Sequence, residues 1–356
     1  MQSSQIQLDA ANHLVGLRLE GGWVVKSKRQ KPSSATGGHF SVCYLVEHDS
    51  GRSGFLKALN LGRALSSSHD VLKEIEHLIT TFNFEKATLK LCRDKKIKRV
   101  AIPLADGHLL PDGSPYPVYY IIFELAPKGD LRSNIRSFDT VDLAFTFSVL
   151  HDTASALNGL HKNSIAHQDL KPSNVLIYDQ SKAKVADLGC ADNLESGSPR
   201  GHLPIAGDTN YAPPELLYHE ISQDWKRRRL GCDLYHLGTL AAFLFTGISV
   251  TSALISHLHQ AHRPGFWSQD YRTVLPYVRE AFEQAMVDIG KSIDDRVRNE
   301  MVGAIASLCD PDPFRRGHPG DAGGNQFNLE RYISLFQRLL LTSEYDLFDR
   351  RRGLNN

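Results

Sequence analysis

The stretch His167-Gln168-Asp169-Leu170-Lys171-Pro172-Ser173-Asn174, followed at a short interval by Asp187-Leu188-Gly189, constrains this chain more than any other part of it. Within about twenty residues it gathers a candidate proton acceptor, Asp169, a candidate anion-binding cation, Lys171, and two oxygen ligands for a hard cation, Asn174 and Asp187. Moving a phosphoryl group onto a hydroxyl asks for this set. The group in flight needs positioning, and cations against its developing charge, more than covalent help.

Composition narrows the alternatives. With 356 residues, 41% hydrophobic and 23% charged, the chain reads as an ordinary soluble globular protein, long enough for one large domain or two lobes. A net charge of +1 gives no bulk attraction to nucleic acid or an anionic membrane, so neither is expected as a partner. Cys43, Cys92, Cys190, Cys232 and Cys309 are isolated, with no C-x-x-C, which favours a reducing cytoplasmic setting over a disulfide framework or zinc site. The polar start lacks a basic patch followed by an apolar stretch, so no secretory signal is expected. Residues 237–255 carry no charge and approach the roughly 20 residues of a membrane span, but Gly238, Thr239, Thr246, Gly247, Ser249, Thr251 and Ser252 interrupt them. A buried core helix with Asp233 at its start is the expectation.

The N-terminal third reads as strands with one helix. Trp23-Val24-Val25 and residues 41–46 are β-rich, and residues 31–38 between them have loop composition, with Gly37-Gly38 able to turn backbone N–H groups toward an anion. Lys57 ends an apolar run, Glu74, Glu76 and Glu85 compete as its partner on a following helix, and residues 119–126 read as a buried strand entering a linker. Further on, Leu143, Phe147, Leu150, Ala154 and Leu157 mark one helical face, with Thr140 as the expected N-cap.

These motifs together resemble the eukaryotic-type (Hanks-type) serine/threonine protein kinases, the diverged glycine loop suiting a bacterial member. The resemblance runs over residues 23–341 and includes Asp233-Leu234-Tyr235-His236-Leu237-Gly238, Pro213-Pro214-Glu215 near the end of an activation segment, and Asp312-Pro313-Phe314-Arg315-Arg316. It implies an α+β, bilobal fold with a small β-rich N-lobe carrying a C-helix and a larger, mainly α-helical C-lobe. The corresponding boundaries are an N-terminal extension at 1–22, an N-lobe at 23–124 with an insertion at about 61–81, a C-lobe at 125–341 and a charged, mobile tail at 342–356.

The resemblance also implies ATP and Mg²⁺, a Ser/Thr protein substrate and a set of roles. Asp169 would orient the attacking hydroxyl, Lys171 would meet phosphate, and Asn174 and Asp187 would hold the metal. Lys57, held by Glu85 in Phe84-Glu85-Lys86-Ala87-Thr88-Leu89, would hold the α- and β-phosphates. Nucleotide contacts are expected from Thr36, Gly37, Gly38, Ser41, Cys43, Glu124, Ala126, Asp130 and Leu176. His167 would be structural, Glu215 would pair with Arg316, and Asp233 would anchor the central helix beneath the catalytic loop.

Several residues depart from the pattern. Only Gly38 clearly matches the glycine loop, Phe55 stands where alanine usually meets adenine, and Gln168 replaces an arginine, which removes the usual partner of an activation-loop phosphate and leaves Thr209 to act through its hydroxyl near the substrate. A small-molecule phosphotransferase of the aminoglycoside-kinase kind and a nucleotide-binding scaffold without catalysis stay open as alternatives. His257, His259 and His262 are read as no metal site, and Lys226-Arg227-Arg228-Arg229 as a solvated loop.

Overall fold

Alternation of apolar residues in the N-terminal third becomes an antiparallel sheet. The computed structural model describes residues 9–29, 41–67, 70–135, 141–179, 182–321 and 324–353. In it β1 (Arg18–Leu19), β2 (Trp23–Lys28), β3 (Ser41–His48), β4 (Ser53–Leu59), β5 (Pro103–Leu109) and β6 (Val118–Glu124) form one sheet in the order β1-β2-β3-β4-β6-β5. Every pairing is antiparallel. Because side chains alternate along a strand, Val42, Tyr44 and Val46 of β3 share one buried face, where they join Leu56, Ala58, Tyr120 and Ile122 in a single cluster.

Helices α1 (Leu61–Ser67) and α2 (Val71–Asp94) follow β4. Asp70 caps α2, its carboxylate accepting from the Lys73 amide at 3.3 Å. The segment read as an insertion is therefore α1 plus the opening turns of the same helix that carries Glu85. Leu78, Phe82, Glu85, Leu89 and Cys92 recur at helical spacing on the buried face of α2, and the Phe82 ring lies 6.1 Å from that of Tyr119 in β6. These elements belong to one compact unit, Met1–Lys96 with Ala101–Pro127.

A second unit, Ile97–Val100 with Lys128–Asn356, is mainly helical. It contains α3 (Leu131–Ile135), α4 (Leu143–His161), β7 (Ile165–Ala166), β8 (Val175–Asp179), β9 (Lys182–Val185), β10 (Asp192–Asn193) and α5 (Pro214–Leu217). It continues through α6 (Gly231–Thr246), α7 (Val250–His257), α8 (Tyr271–Lys291), α9 (Arg298–Leu308) and α10 (Glu330–Gly353). The short strands pair β7 with β10 and β8 with β9, both antiparallel. The β-rich and helical characters of the two units are those of a protein-kinase-like α+β fold.

On α4 the expected face is fully buried at Phe147, Leu150, Ala154 and Leu157. Thr140 lies outside the described residues; Asp142 caps the helix, accepting from the Phe145 amide at 3.1 Å. The uncharged stretch 237–255 is divided between α6 and α7, where the chain bends by 81°. Among the described residues no single helix is long and apolar enough to cross a membrane. Of the segment expected as a charged tail, residues 342–353 form the end of α10, with Ser343 buried and its hydroxyl donating to the Leu339 carbonyl.

Candidate active site

Asp233 carries the loop that holds the candidate catalytic residues. One of its carboxylate oxygens accepts from the His167 amide at 2.7 Å; the other accepts from the Gln168 amide at 2.8 Å and the Gln168 side-chain amide at 3.0 Å. Burial pushes the Asp233 carboxyl up, but the hydrogen bond from His161 at 2.9 Å and the nearby His167 and His236 bring it below the usual carboxylate range. These bonds also hold Gln168 in the left-handed region, at φ 67°. His167 Nδ1 accepts from the Asp169 amide at 3.2 Å while Nε2 faces the Ala186 carbonyl at 3.1 Å, so its packing is structural and its proton resides on Nε2.

Asp169 is thereby fixed at both oxygens. Oδ1 accepts from the Asp208 amide at 2.9 Å, and Oδ2 lies 3.0 Å from Lys171 Nζ and 3.1 Å from Asn174 Nδ2. Burial raises the Asp169 carboxyl above its ordinary value, with Asp187 adding and Lys171 opposing. Lys171, buried as well, would lose affinity for its proton by desolvation, yet Asp169, Asp208 and Asp187 leave it raised and charged.

Asn174 donates its amide nitrogen to the Asp169 carbonyl at 2.7 Å, which leaves the amide oxygen as the end suited to a cation. Its own carbonyl accepts from the Ala186 amide at 2.9 Å, tying it to the chain just before Asp187, which sits at φ 66°. An amide oxygen and a carboxylate fit Mg²⁺, a hard cation that takes few protein ligands and fills its shell with water and phosphate oxygens. Among the described residues no group of three or more His, Cys, Asp or Glu is disposed for a metal. His257 is paired with Asp288 at 2.9 Å, His259 accepts from the Ala261 amide, and His262 stacks on Tyr277.

The first unit, taken by itself, holds a paired lysine. Lys57 Nζ lies 3.0 Å from both carboxylate oxygens of Glu85, so of the three competing glutamates the one on the buried face of α2 holds it. Cys43 stands opposite Lys57 across the sheet, Ser41 opposite Leu59, and Phe55, two residues before Lys57 and on the same face, opposite Phe123. Glu124 ends β6 opposite Gly54, and Ala126 follows it in the chain. Thr36, Gly37 and Gly38 lie outside the described residues. In the second unit Asp130 caps α3, accepting from the Ser133 amide at 2.9 Å, and bridges to Leu176.

A long-range pair closes the C-terminal part. Arg316 and Glu215 meet in a bidentate ion pair, 2.7 Å at each bond, with the arginine side chain fully buried. The family described as Protein kinase domain matches residues 36–317. The chain belongs to the protein kinase domain family.

Among its relatives, this kinase domain is 29% identical to Aurora kinase B of Mus musculus over 128 residues, 36% of this chain and 34% of that protein. It is 27% identical to the phosphorylase b kinase gamma catalytic chain, liver/testis isoform, of Rattus norvegicus over 197 residues, 55% of this chain and 43% of that one. It is 23% identical to a probable serine/threonine-protein kinase of Clostridium perfringens over 214 residues, 58% of this chain and 29% of that one. It spans less than half the length of each of these curated relatives.

Within the kinase domain, some residues that contact the candidate catalytic residues carried no signal in the sequence. Thr209 is exposed; its neighbour Asp208 reaches the loop of Asp169 and Lys171, giving its amide to Asp169 and placing a carboxylate oxygen 3.5 Å from Lys171. Gly207 makes that approach feasible, since a Cβ there would lie 2.5 Å from the Gln168 carbonyl oxygen and 2.6 Å from Asp169 Oδ1. Lys226–Leu230 is a helical turn rather than a solvated loop, and Arg229 within it is only 2% exposed. A run of four basic residues reads as surface because period and composition carry no sign of one buried arginine. Its partner, Asp192, is far away in sequence and carries no motif.

Proposed function

We propose that this kinase domain transfers the γ-phosphoryl group of ATP to serine and threonine hydroxyls of protein substrates, in a Mg²⁺-dependent reaction in the cytoplasm. The single observation that carries the reading is the fixation of Asp169, whose two carboxylate oxygens take bonds from Asp208, Lys171 and Asn174. A carboxylate held this way has lost the freedom to rotate. It can accept the proton of a hydroxyl aligned for attack without reorganising. Its raised affinity for a proton suits the same role, because a base closer to neutrality gains more from the transfer.

Lys171, shared between Asp169 and Asp208, would lend its cation to the phosphoryl group as negative charge develops there. Lys57, steadied by Glu85, would hold the α- and β-phosphates. Asn174 and Asp187 would bind Mg²⁺, which when present neutralises charge on the β- and γ-phosphates. The Glu215–Arg316 pair favours a protein acceptor over a small one, because it anchors the segment that follows the catalytic loop as a stable platform.

The test is a transfer assay with γ-labelled ATP, offering a generic protein acceptor and an aminoglycoside in parallel. Label on serine and threonine of the protein supports the reading. Label on the aminoglycoside alone, or no transfer at all, overturns it.

A further inference from the structure

Gln168 stands where the family resemblance led us to expect an arginine, and the cation that the loop lacks is present beside it from another element. Arg229 donates Nη1 to Gln168 Oε1 at 3.2 Å, and its own carbonyl accepts from Gln168 Nε2 at 2.8 Å. Its Nε lies 2.8 Å from Asp192 Oδ2, and its Nη2 donates to the Gly201 carbonyl at 2.9 Å. Asp192 is satisfied on its other oxygen by the Trp225 indole N–H at 3.1 Å. Arg228 adds bonds to the carbonyls of Gly201 and Leu203, each 2.9 Å. One helical turn thus grips both ends of the segment from Asp192 to Leu203.

We propose that the Arg229–Asp192 ion pair orders this segment in its working arrangement without phosphorylation, the buried carboxylate of Asp192 supplying the negative charge that Arg229 pairs with. The inference rests on the kinase reading and concerns regulation of the same site. A planar guanidinium presents a limited fork of donors, and here each arm is already taken by chain atoms. A phosphate added to Ser196 or Ser198 would bring charge of the same sign toward Asp192 and would find the fork engaged. The ordering is felt at the catalytic loop because two of the bonds that hold Arg229 are made by Gln168, the residue before Asp169. Arg229 is therefore a positioning residue for Asp169 and touches no substrate.

The experiment uses the full chain in two arms, each read by amide hydrogen exchange over residues 192–203 and by initial rates. In the first, the enzyme is dephosphorylated to completion. Exchange should stay unchanged and the rate should stay within about tenfold, a factor equivalent to roughly 1.4 kcal/mol. In the second, Asp192→Asn strips the charge while keeping the shape. Exchange of the bonded amides of Asn193, Gly197, Gly201 and Leu203 should quicken by at least about tenfold, and kcat should fall while KM for ATP holds. Exchange or activity that collapses on dephosphorylation would overturn the proposal and point to Arg228 as a phosphate partner. Unaltered exchange in Asp192→Asn would overturn it too. Should that variant fail to fold, the first arm decides alone. If the exchange behaves as expected while no form of the protein transfers phosphate, the ordering stands and the kinase reading falls.

Discussion

At the scale of residues, Asp208 lies against both members of the candidate catalytic pair. It puts a second negative charge on Lys171, at 3.5 Å against 3.0 Å for Asp169, and its backbone N–H fixes Asp169 from the other side. Gly207→Ala should therefore lower turnover by about tenfold or more, because the new Cβ meets the Gln168 backbone and Asp169 rather than a flexible side-chain end. Steady-state kinetics would show it as a loss in kcat with little change in KM for ATP. The Lys57–Glu85 pair leads to a ranking. Glu85→Gln should cut activity sharply through lost positioning of Lys57, whereas Glu74→Gln and Glu76→Gln should be nearly silent in the same assay. The reverse order would contradict the pairing. In the proposed role Asp169 would have to be ionised to accept a proton, and its carboxyl is raised by burial, so the acid limb of kcat/KM should fall at higher pH than an ordinary carboxylate would give.

At the scale of elements, long-range pairs decide what a linear reading can recover. The pair of Glu215 beside α5 with Arg316 was legible because both ends lie in motifs, and the structure joins them across α6, whose Gly231 carbonyl also accepts from Arg316 at 3.2 Å. Both partners are buried, so Arg316→Met should destabilise the protein by about 3–5 kcal/mol, the cost of leaving a carboxylate unpaired in the interior. Denaturant unfolding of the variant measures it, and a change under about 1 kcal/mol would contradict the burial of the pair. The Arg229–Asp192 pair has the same physics and was not legible, since a basic run reads as solvated whenever tertiary partners are unknown. Likewise α4 showed its face through spacing, while its cap was placed at Thr140 rather than Asp142 because both side chains suit that position. The start of α2 at Val71 falls within residues 61–81, which against the family pattern read as an insertion with some helix of its own, so its continuity with the Glu85 helix carried no separate signal.

Over the whole molecule, the mainly helical unit is organised about α6, where Asp233 is surrounded by His161, His167 and His236. His236 is fully buried and its imidazole is lowered to about 4 by desolvation, against an ordinary 6.5. Between those values the unfolded chain binds a proton that the folded chain does not. Stability is then complete above pH 6.5 and declines as pH falls toward 4, by about 3 kcal/mol from this group. Thermal unfolding across that range should show the decline, and His236→Leu should flatten it. The proposed chemistry converges on Asp169, and one comparison tests it most directly: turnover and ATP affinity of Asp169→Ala beside the unaltered protein. We expect turnover to fall by about 10²–10⁴-fold with ATP affinity preserved, as loss of a positioned base requires. Normal turnover in that variant would contradict the account.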